Sequence, residues 1–182
     1  MKKRFCFILS ILILLSVVAC KSSKDGAITS LDEVNNKYLS DVVHAGVTAI
    51  SWKYAAELPP DDFTAFYYHH VLVREFPNGW TEPIKITAEQ LEAEVQSHFD
   101  VPAEPIRKAA NYDVVNQVYL FDYGIGSTEF ALIKAEVKDD VLLLYFEYYD
   151  KADITKVIRT GILTLKIDSE SFKYVDCSTQ ES

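Results

Sequence analysis

The chain has 182 residues, of which 49% are apolar and 25% charged, and its formal net charge is −9. The apolar fraction is large enough to build a core, which excludes global disorder. The excess of acidic over basic residues repels phosphate backbones and therefore argues against nucleic-acid binding.

The first 20 residues have the order of an export signal. A basic start, from Lys2 to Arg4, precedes an apolar run from Phe5 to Val18. The run is shorter than the roughly 20 residues that a membrane-crossing helix needs. The small residue Ala19 stands directly before Cys20. This ending resembles the lipobox of bacterial lipoproteins, which implies cleavage before Cys20 and acylation of its thiol, for example with palmitate.

The resemblance divides the chain into three parts. Residues 1–19 would be a lipoprotein signal peptide, 20–29 a lipidated polar tether, and 30–182 a single α+β domain. It also implies a location at the outer face of a cell membrane. Removing three of the 18 basic residues would leave a net charge of about −12, with 27 acidic against 15 basic residues. Because anionic headgroups repel such a domain, attachment would depend on the acyl chains. The alternative is an ordinary signal peptide that releases a soluble secreted protein.

Only one cysteine, Cys177, belongs to the folded part once Cys6 is cleaved away and Cys20 is acylated. The domain would therefore contain no intramolecular disulfide. Reactive cysteines need an electropositive setting, which the neighbouring Asp176 does not offer. Cys177 is therefore predicted to be a plain cysteine at a strand end.

Two helix starts are predicted from capping boxes. Ser30 with Glu33, and Thr87 with Gln90, have the spacing in which the first side chain caps the helix N-terminus. Apolar residues at helical spacing follow each start.

A further helix is predicted to begin near Asp61-Asp62 and to end at Pro77-Asn78-Gly79. Its apolar residues lie all round the helix, which is typical of a buried helix. The stretch from Val47 to Leu58 is compatible with either a helix or a strand.

From residue 114 onward, the apolar residues recur at every second position, which predicts strands. The predicted strands are 114–121, 131–137, 141–149, 163–167 and 172–175. Asp139-Asp140 is predicted to be a hairpin turn, and the strand 141–149 to be covered on both faces because it is apolar on both. Helices followed by hairpin-linked strands predict an α+β fold with N-terminal helices packed on a C-terminal antiparallel sheet of about four or five strands.

Two segments, 86–101 and 161–175, resemble parts of uncharacterised lipoproteins of Gram-positive anaerobes. The order of elements is also similar to the NTF2-like and cystatin-like folds, in which a concave sheet faces a helix. These resemblances imply a packing arrangement and carry no catalytic residue, and fold similarity does not imply function.

The sequence contains few candidates for chemistry. His69 and His70 are adjacent and would point about 100° apart on a helix, whereas a zinc pair is usually spaced i, i+4. Asp61-Asp62 is explained as a helix N-cap and Asp139-Asp140 as a turn. The sequence therefore assigns no catalytic residue, no metal ligand and no cofactor.

Three residues are candidate ligand contacts: His70, Tyr67 and Tyr145. A ligand cleft is expected between the helices and the concave face of the sheet. Tyrosine suits sites that are apolar and yet form hydrogen bonds. The function predicted from the sequence is a membrane-anchored, non-enzymatic domain that binds an envelope protein or a small ligand. An envelope-acting hydrolase and a structural envelope component are the alternatives.

Overall fold

The computed structural model describes residues 30–122, 128–168 and 171–182. The predicted signal peptide (1–19) and tether (20–29) therefore lie outside the described residues. Residues 124–127 and 169–170, where the sequence between the strands predicts a loop and a turn, also lie outside them. Helices come first and a four-stranded antiparallel sheet comes last, so the predicted α+β class is confirmed.

The helical part consists of short segments, two of them π-helical. They are α1 (Leu31–Val34), a first π-helical segment (Asn35–Leu39), α2 (Ser40–His44), a 3₁₀ turn (Ala55–Glu57), α3 (Pro60–Tyr67), a second π-helical segment (Tyr68–Leu72), α4 (Val73–Glu75), α5 (Ala88–His98) and α6 (Ala103–Ile106). No described helix is both long and apolar enough to cross a membrane.

Both predicted helix starts are confirmed. Ser30 Oγ accepts a hydrogen bond from the Glu33 N–H at 3.1 Å, and Thr87 Oγ1 accepts one from the Gln90 N–H at 3.2 Å. Each cap satisfies one N–H group that the first helical turn leaves without a partner.

Seven strands form two sheets in the described residues. They are β1 (Ile84–Thr87), β2 (Tyr112–Asp113), β3 (Val118–Phe121), β4 (Phe130–Lys138), β5 (Val141–Asp150), β6 (Asp153–Ile167) and β7 (Phe172–Glu181). The small sheet has the order β1-β3-β2, and the large one runs β4-β5-β6-β7. In the large sheet Leu144 lies opposite Ala135 on one side and Leu163 on the other.

The predicted strand at 114–121 is wrong over its first half. Asp113 Oδ1 accepts the N–H groups of Val115 and Asn116, and Gln117 has a positive φ of 54°. A turn therefore forms at 114–117, and the side chain of Val115 is 86% exposed. The aspartate supplies local hydrogen bonds that compete with a strand ladder.

The central strand β5 is covered on one face only, so the prediction of two covered faces is wrong. Leu142, Leu144 and Phe146 are buried, whereas the residues between them are half-buried on the opposite face. Successive side chains of a strand point to opposite faces, so the helices cover the Phe146 face. The ring of Phe146 lies against the backbone of Gly161 in β6, where a Cβ atom would overlap it.

The stretch from Val47 to Leu58 is mostly irregular. Trp52 forms an isolated antiparallel bridge with Cys177 of β7, and its Nε1 donates to the Val47 carbonyl at 2.8 Å. A single 3₁₀ turn follows at Ala55–Glu57. The segment covers part of the β7 edge of the large sheet.

Candidate metal centre

The second π-helical segment carries two of the four histidines of the chain. It continues directly from α3 and contains His69 and His70. A π-helical turn has a wider backbone than an α-helix and is rare, and such turns occur frequently at functional sites. The segment begins two residues after Phe66, whose ring packs edge-on against Phe99 just beyond α5 at a centroid distance of 5.1 Å. This packing brings His70 close to α5.

A cluster of three side chains, His70, Glu94 and His98, forms where the π-helical segment meets α5. Glu94 Oε1 lies 3.5 Å from His70 Nε2 and 3.4 Å from His98 Nε2. One ligand atom from each of the three residues lies within 4.8 Å of the others. Two imidazoles and one carboxylate are a donor set that suits zinc and related divalent ions.

Asp41 orients one of the two imidazoles. His70 Nδ1 donates to Asp41 Oδ2 at 2.7 Å, so the other ring nitrogen, Nε2, is the one that faces Glu94. Arg74 Nη2 donates to the same oxygen at 2.6 Å. A carboxylate on the far nitrogen is the usual support of a metal-binding histidine, because it fixes the tautomer and the ring orientation.

Aromatic rings pack against the two imidazoles from the side of the core. Phe66 stacks on His70 with an interplanar angle of 13° and meets His98 edge-on. Phe172 of β7 packs against His98 at 4.7 Å between centroids. Burial, followed by the nearby charge of His70, lowers the pKa of His98, although Glu94 opposes the shift. His98 is therefore neutral at pH 7, as metal ligation requires.

The other two histidines, His44 and His69, form a separate pair. Their rings lie 5.4 Å apart, and the N–H of Thr128 donates to His44 Nδ1 at 3.3 Å. Burial, with a smaller contribution from His44, lowers the pKa of His69 to about 4. Burial also lowers the pKa of His44. Both rings are thus neutral packing groups at pH 7.

The three predicted ligand contacts lie in different places. His70 belongs to the cluster, whereas Tyr67 is 1% exposed and its hydroxyl accepts a hydrogen bond from Gln90 Nε2 at 3.1 Å. Tyr145 lies on the face of the large sheet that the helices leave open, where its hydroxyl donates to Glu136 Oε2 at 2.9 Å. It lines an open groove of about 460 Å³. The structure therefore does not bring the three residues together.

The carboxylate pair Asp61-Asp62 does not cap its helix as predicted. The N-cap position of α3 is Pro59, and both aspartates lie in the first turn. Asp61 Oδ1 accepts the N–H of Ala110 at 2.7 Å. Burial, assisted by the charge of Asp61, raises the pKa of Asp62 to about 6.

The other two sites singled out in the sequence are explained by local structure. Asp139-Asp140 connects β4 to β5 as predicted, with Asp139 at a φ of 57°. Cys177 is buried, and this burial raises the pKa of its thiol to about 12, so the thiolate is scarce at pH 7.

Glu94 and His98 were not identified from the sequence. They are spaced i, i+4 on α5, which places them on the same helix face. A search restricted to pairs of histidines on one helix misses such a pair, whereas a search for any two ligand types at this spacing finds it. The third ligand, His70, comes from a different helix and requires the tertiary fold.

Three comparisons with known proteins found no match. No protein family, no curated protein and no solved structure matches the chain. The N-terminal resemblance to lipoproteins rests on residues outside the described part and stays a prediction. The function must therefore be argued from the geometry of the cluster.

Proposed function

We propose that this chain is a lipid-anchored, non-enzymatic domain at the outer face of a cell membrane, and that its ligand is a divalent transition-metal ion such as Zn²⁺. The observation that carries the proposal is the convergence of His70, Glu94 and His98, with Glu94 Oε1 within 3.5 Å of both imidazole nitrogens. The anchor would be Cys20, as the lipobox resemblance implies.

The chemistry of the cluster favours a particular class of ion. Imidazole nitrogen suits zinc, nickel and copper, whereas calcium and magnesium prefer shells of oxygen ligands. Because Asp41 accepts from His70 Nδ1, Nε2 is the ring nitrogen that would bind a metal. The lowered pKa of His98 favours metal ligation at neutral pH, because fewer protons compete with the ion.

An envelope-acting hydrolase is the second candidate, and one observation favours it. Asp62, with its pKa raised to about 6, lines an open groove of about 460 Å³ together with Asp61 and Asp122. A carboxyl group with this pKa could act as a general acid or base. Asp61 Oδ1, however, already accepts a hydrogen bond from the N–H of Ala110. Asp61 is therefore a poor second catalytic carboxylate, and the hydrolase remains the second candidate.

Zinc titration of the full-length chain, purified in detergent and followed by calorimetry, tests the metal site. We expect one Zn²⁺ per chain. His70→Ala, Glu94→Gln and His98→Ala should each weaken binding by about 100-fold or more, because loss of a supporting partner alone costs about 10- to 100-fold. Glu89→Gln, an exposed acid on the same helix, and His44→Gln are matched controls that should bind like the wild type. Zinc binding that survives loss of all three ligands would contradict the proposal.

The intact mass of the protein from its native membrane tests the anchor. We expect a chain that begins at acylated Cys20, and we expect Cys20→Ser to abolish membrane association. An unmodified chain, cut elsewhere or uncut, would refute the anchor without affecting the metal site.

A further inference from the structure

We infer that a metal ion held by His70, Glu94 and His98 keeps one coordination position open toward solvent, and that this position takes a small monodentate anion, such as a carboxylate. The inference rests on the metal site proposed above, because without a bound ion there is no position to fill.

The number of ligands is the first argument. Zn²⁺ in proteins is almost always four-coordinate, and a site with only three protein ligands completes its shell with water or an exogenous ligand. In the described part of the chain, this set is the only group of three or more histidine, cysteine or carboxylate side chains close enough together to hold an ion. Oδ2 of the adjacent Asp41 accepts from both His70 Nδ1 and Arg74 Nη2.

The direction of access is the second argument. Phe66 closes the core side, since it stacks on His70 and meets His98 edge-on. Phe172 packs against His98. The side chains of His70 and His98 are 15% and 14% exposed, whereas Glu94 is 37% exposed. The open side of the cluster is therefore the Glu94 side, and a ligand reaches the ion from solvent there.

Charge is the third argument. A divalent ion with two neutral imidazoles and one carboxylate has a net charge of +1. The adjacent Asp41 and Arg74 form an ion pair that cancels its own charge. A single negative charge on the fourth ligand would make the site neutral, which favours a monoanion in a partly buried position.

The test uses Co²⁺ in place of Zn²⁺ in the full-length chain, purified in detergent, because Co²⁺ reports its ligands by visible absorption. Azide and then acetate are titrated into the Co²⁺-loaded protein. We expect a saturable change in the Co²⁺ spectrum with each anion, and with azide a new charge-transfer band that arises only from direct coordination. One azide should bind per Co²⁺.

One variant separates coordination from simple charge attraction. Arg74→Met removes a cationic side chain beside the cluster without removing a ligand. The azide band should persist at saturating azide, with a weaker azide affinity, because the charge of Asp41 is then no longer cancelled. Loss of the band at saturating azide with Co²⁺ still bound would show that the anion binds the side chain, and would overturn the inference.

The remaining outcomes distinguish this inference from the proposed function. Bound Co²⁺ with a spectrum that azide and acetate leave unchanged would overturn the open position and leave the metal site intact. A Co²⁺ spectrum that depends on protein concentration would mean that a second copy supplies the fourth ligand, which also overturns it. Failure of both Co²⁺ and Zn²⁺ to bind would overturn the proposed metal site itself.

Discussion

Asp41 Oδ2 and His70 Nδ1 are joined by a hydrogen bond of 2.7 Å, and this contact determines which nitrogen of the ring can bind a metal. The proton stays on Nδ1, and Nε2 faces Glu94 Oε1 at 3.5 Å. The side chain of Asp41 is 13% exposed, so its orientation is fixed by its partners rather than by water.

Asp41→Asn is expected to weaken zinc binding by about tenfold and no more than 100-fold, because the carboxylate supports a ligand without touching the ion. Calorimetry measures the affinity. Arg74→Met is the matched control, since it removes the other partner of Asp41 Oδ2 and leaves the histidine contact in place. An affinity in Asp41→Asn equal to that of the wild type would show that the carboxylate does not orient the ring.

Glu92 and Arg107 form an ion pair that stabilises the packing of α5 on α6, with two hydrogen bonds of 2.6 and 2.8 Å. The carboxylate is buried, and it also accepts a hydrogen bond from the Tyr119 hydroxyl at 3.3 Å. The guanidinium side chain is about half exposed. The two partners are therefore not equivalent when one of them is removed.

Arg107→Ala is expected to lower the free energy of unfolding more than Glu92→Leu does. Arg107→Ala leaves a buried carboxylate without its cation, whereas Glu92→Leu leaves an arginine whose side chain can rotate into the solvent. We expect Glu92→Leu to cost about 1 kcal/mol, because it leaves the buried hydroxyl of Tyr119 without its acceptor. Equilibrium urea unfolding measures both. The reverse order of stability would contradict this account of the pair.

Gly161→Ala is expected to destabilise the protein by about 2 kcal/mol, within the range for overpacking of a core. A Cβ atom at this position would overlap the ring of Phe146 on the neighbouring strand. The matched double variant Gly161→Ala with Phe146→Leu removes the overlap, so its loss of stability should be smaller than the sum of the two single losses. Strictly additive losses in urea unfolding would mean that the ring does not fill the space left by the glycine.

The helix starts and the hairpin turn were predictable because their causes are local. Thr87 and Asp139 act through hydrogen bonds and backbone angles within a few residues of themselves. The turn at 114–117 also has a local cause, but the sequence analysis did not identify it. The carboxylate of Asp113 accepts two backbone N–H groups there, and these hydrogen bonds outweigh the alternation of apolar residues that predicts a strand. Periodicity alone does not include side-chain to backbone hydrogen bonds.

The candidate metal centre could be predicted only in part from the sequence. Glu94 and His98 share a helix face, so their spacing is visible in the sequence, but His70 joins them only through the packing of Phe66 against Phe99. The π-helical segment that carries His70 could not be predicted from the sequence, because a single widened turn is too short to show an apolar period and forms through tertiary contacts. Long-range packing therefore determines the site.

The stability of the protein is expected to fall as the pH rises through the titration of Asp62. The pKa of this carboxyl is raised from 3.8 to about 6, mainly by burial, so the folded state binds its proton more tightly than the unfolded state does. Between these two values the folded state holds more protons, and the contribution of Asp62 to stability decreases with increasing pH. Above about pH 6 the folded protein must accommodate a charged and poorly solvated carboxylate.

Asp62→Asn should remove this dependence. We expect the variant to be more stable than the wild type by about 1 kcal/mol at pH 7.5, less than the full shift implies because the carboxyl remains partly hydrated. The difference should disappear below about pH 3, well under the unfolded-state pKa of 3.8, where the wild-type carboxyl is protonated in both states. Urea unfolding of both proteins across this pH range measures it. If the two proteins differ in stability by the same amount at every pH, the substitution acts through packing. If Asp62→Asn is less stable than the wild type at pH 7.5, the ionised carboxylate stabilises the first turn of α3.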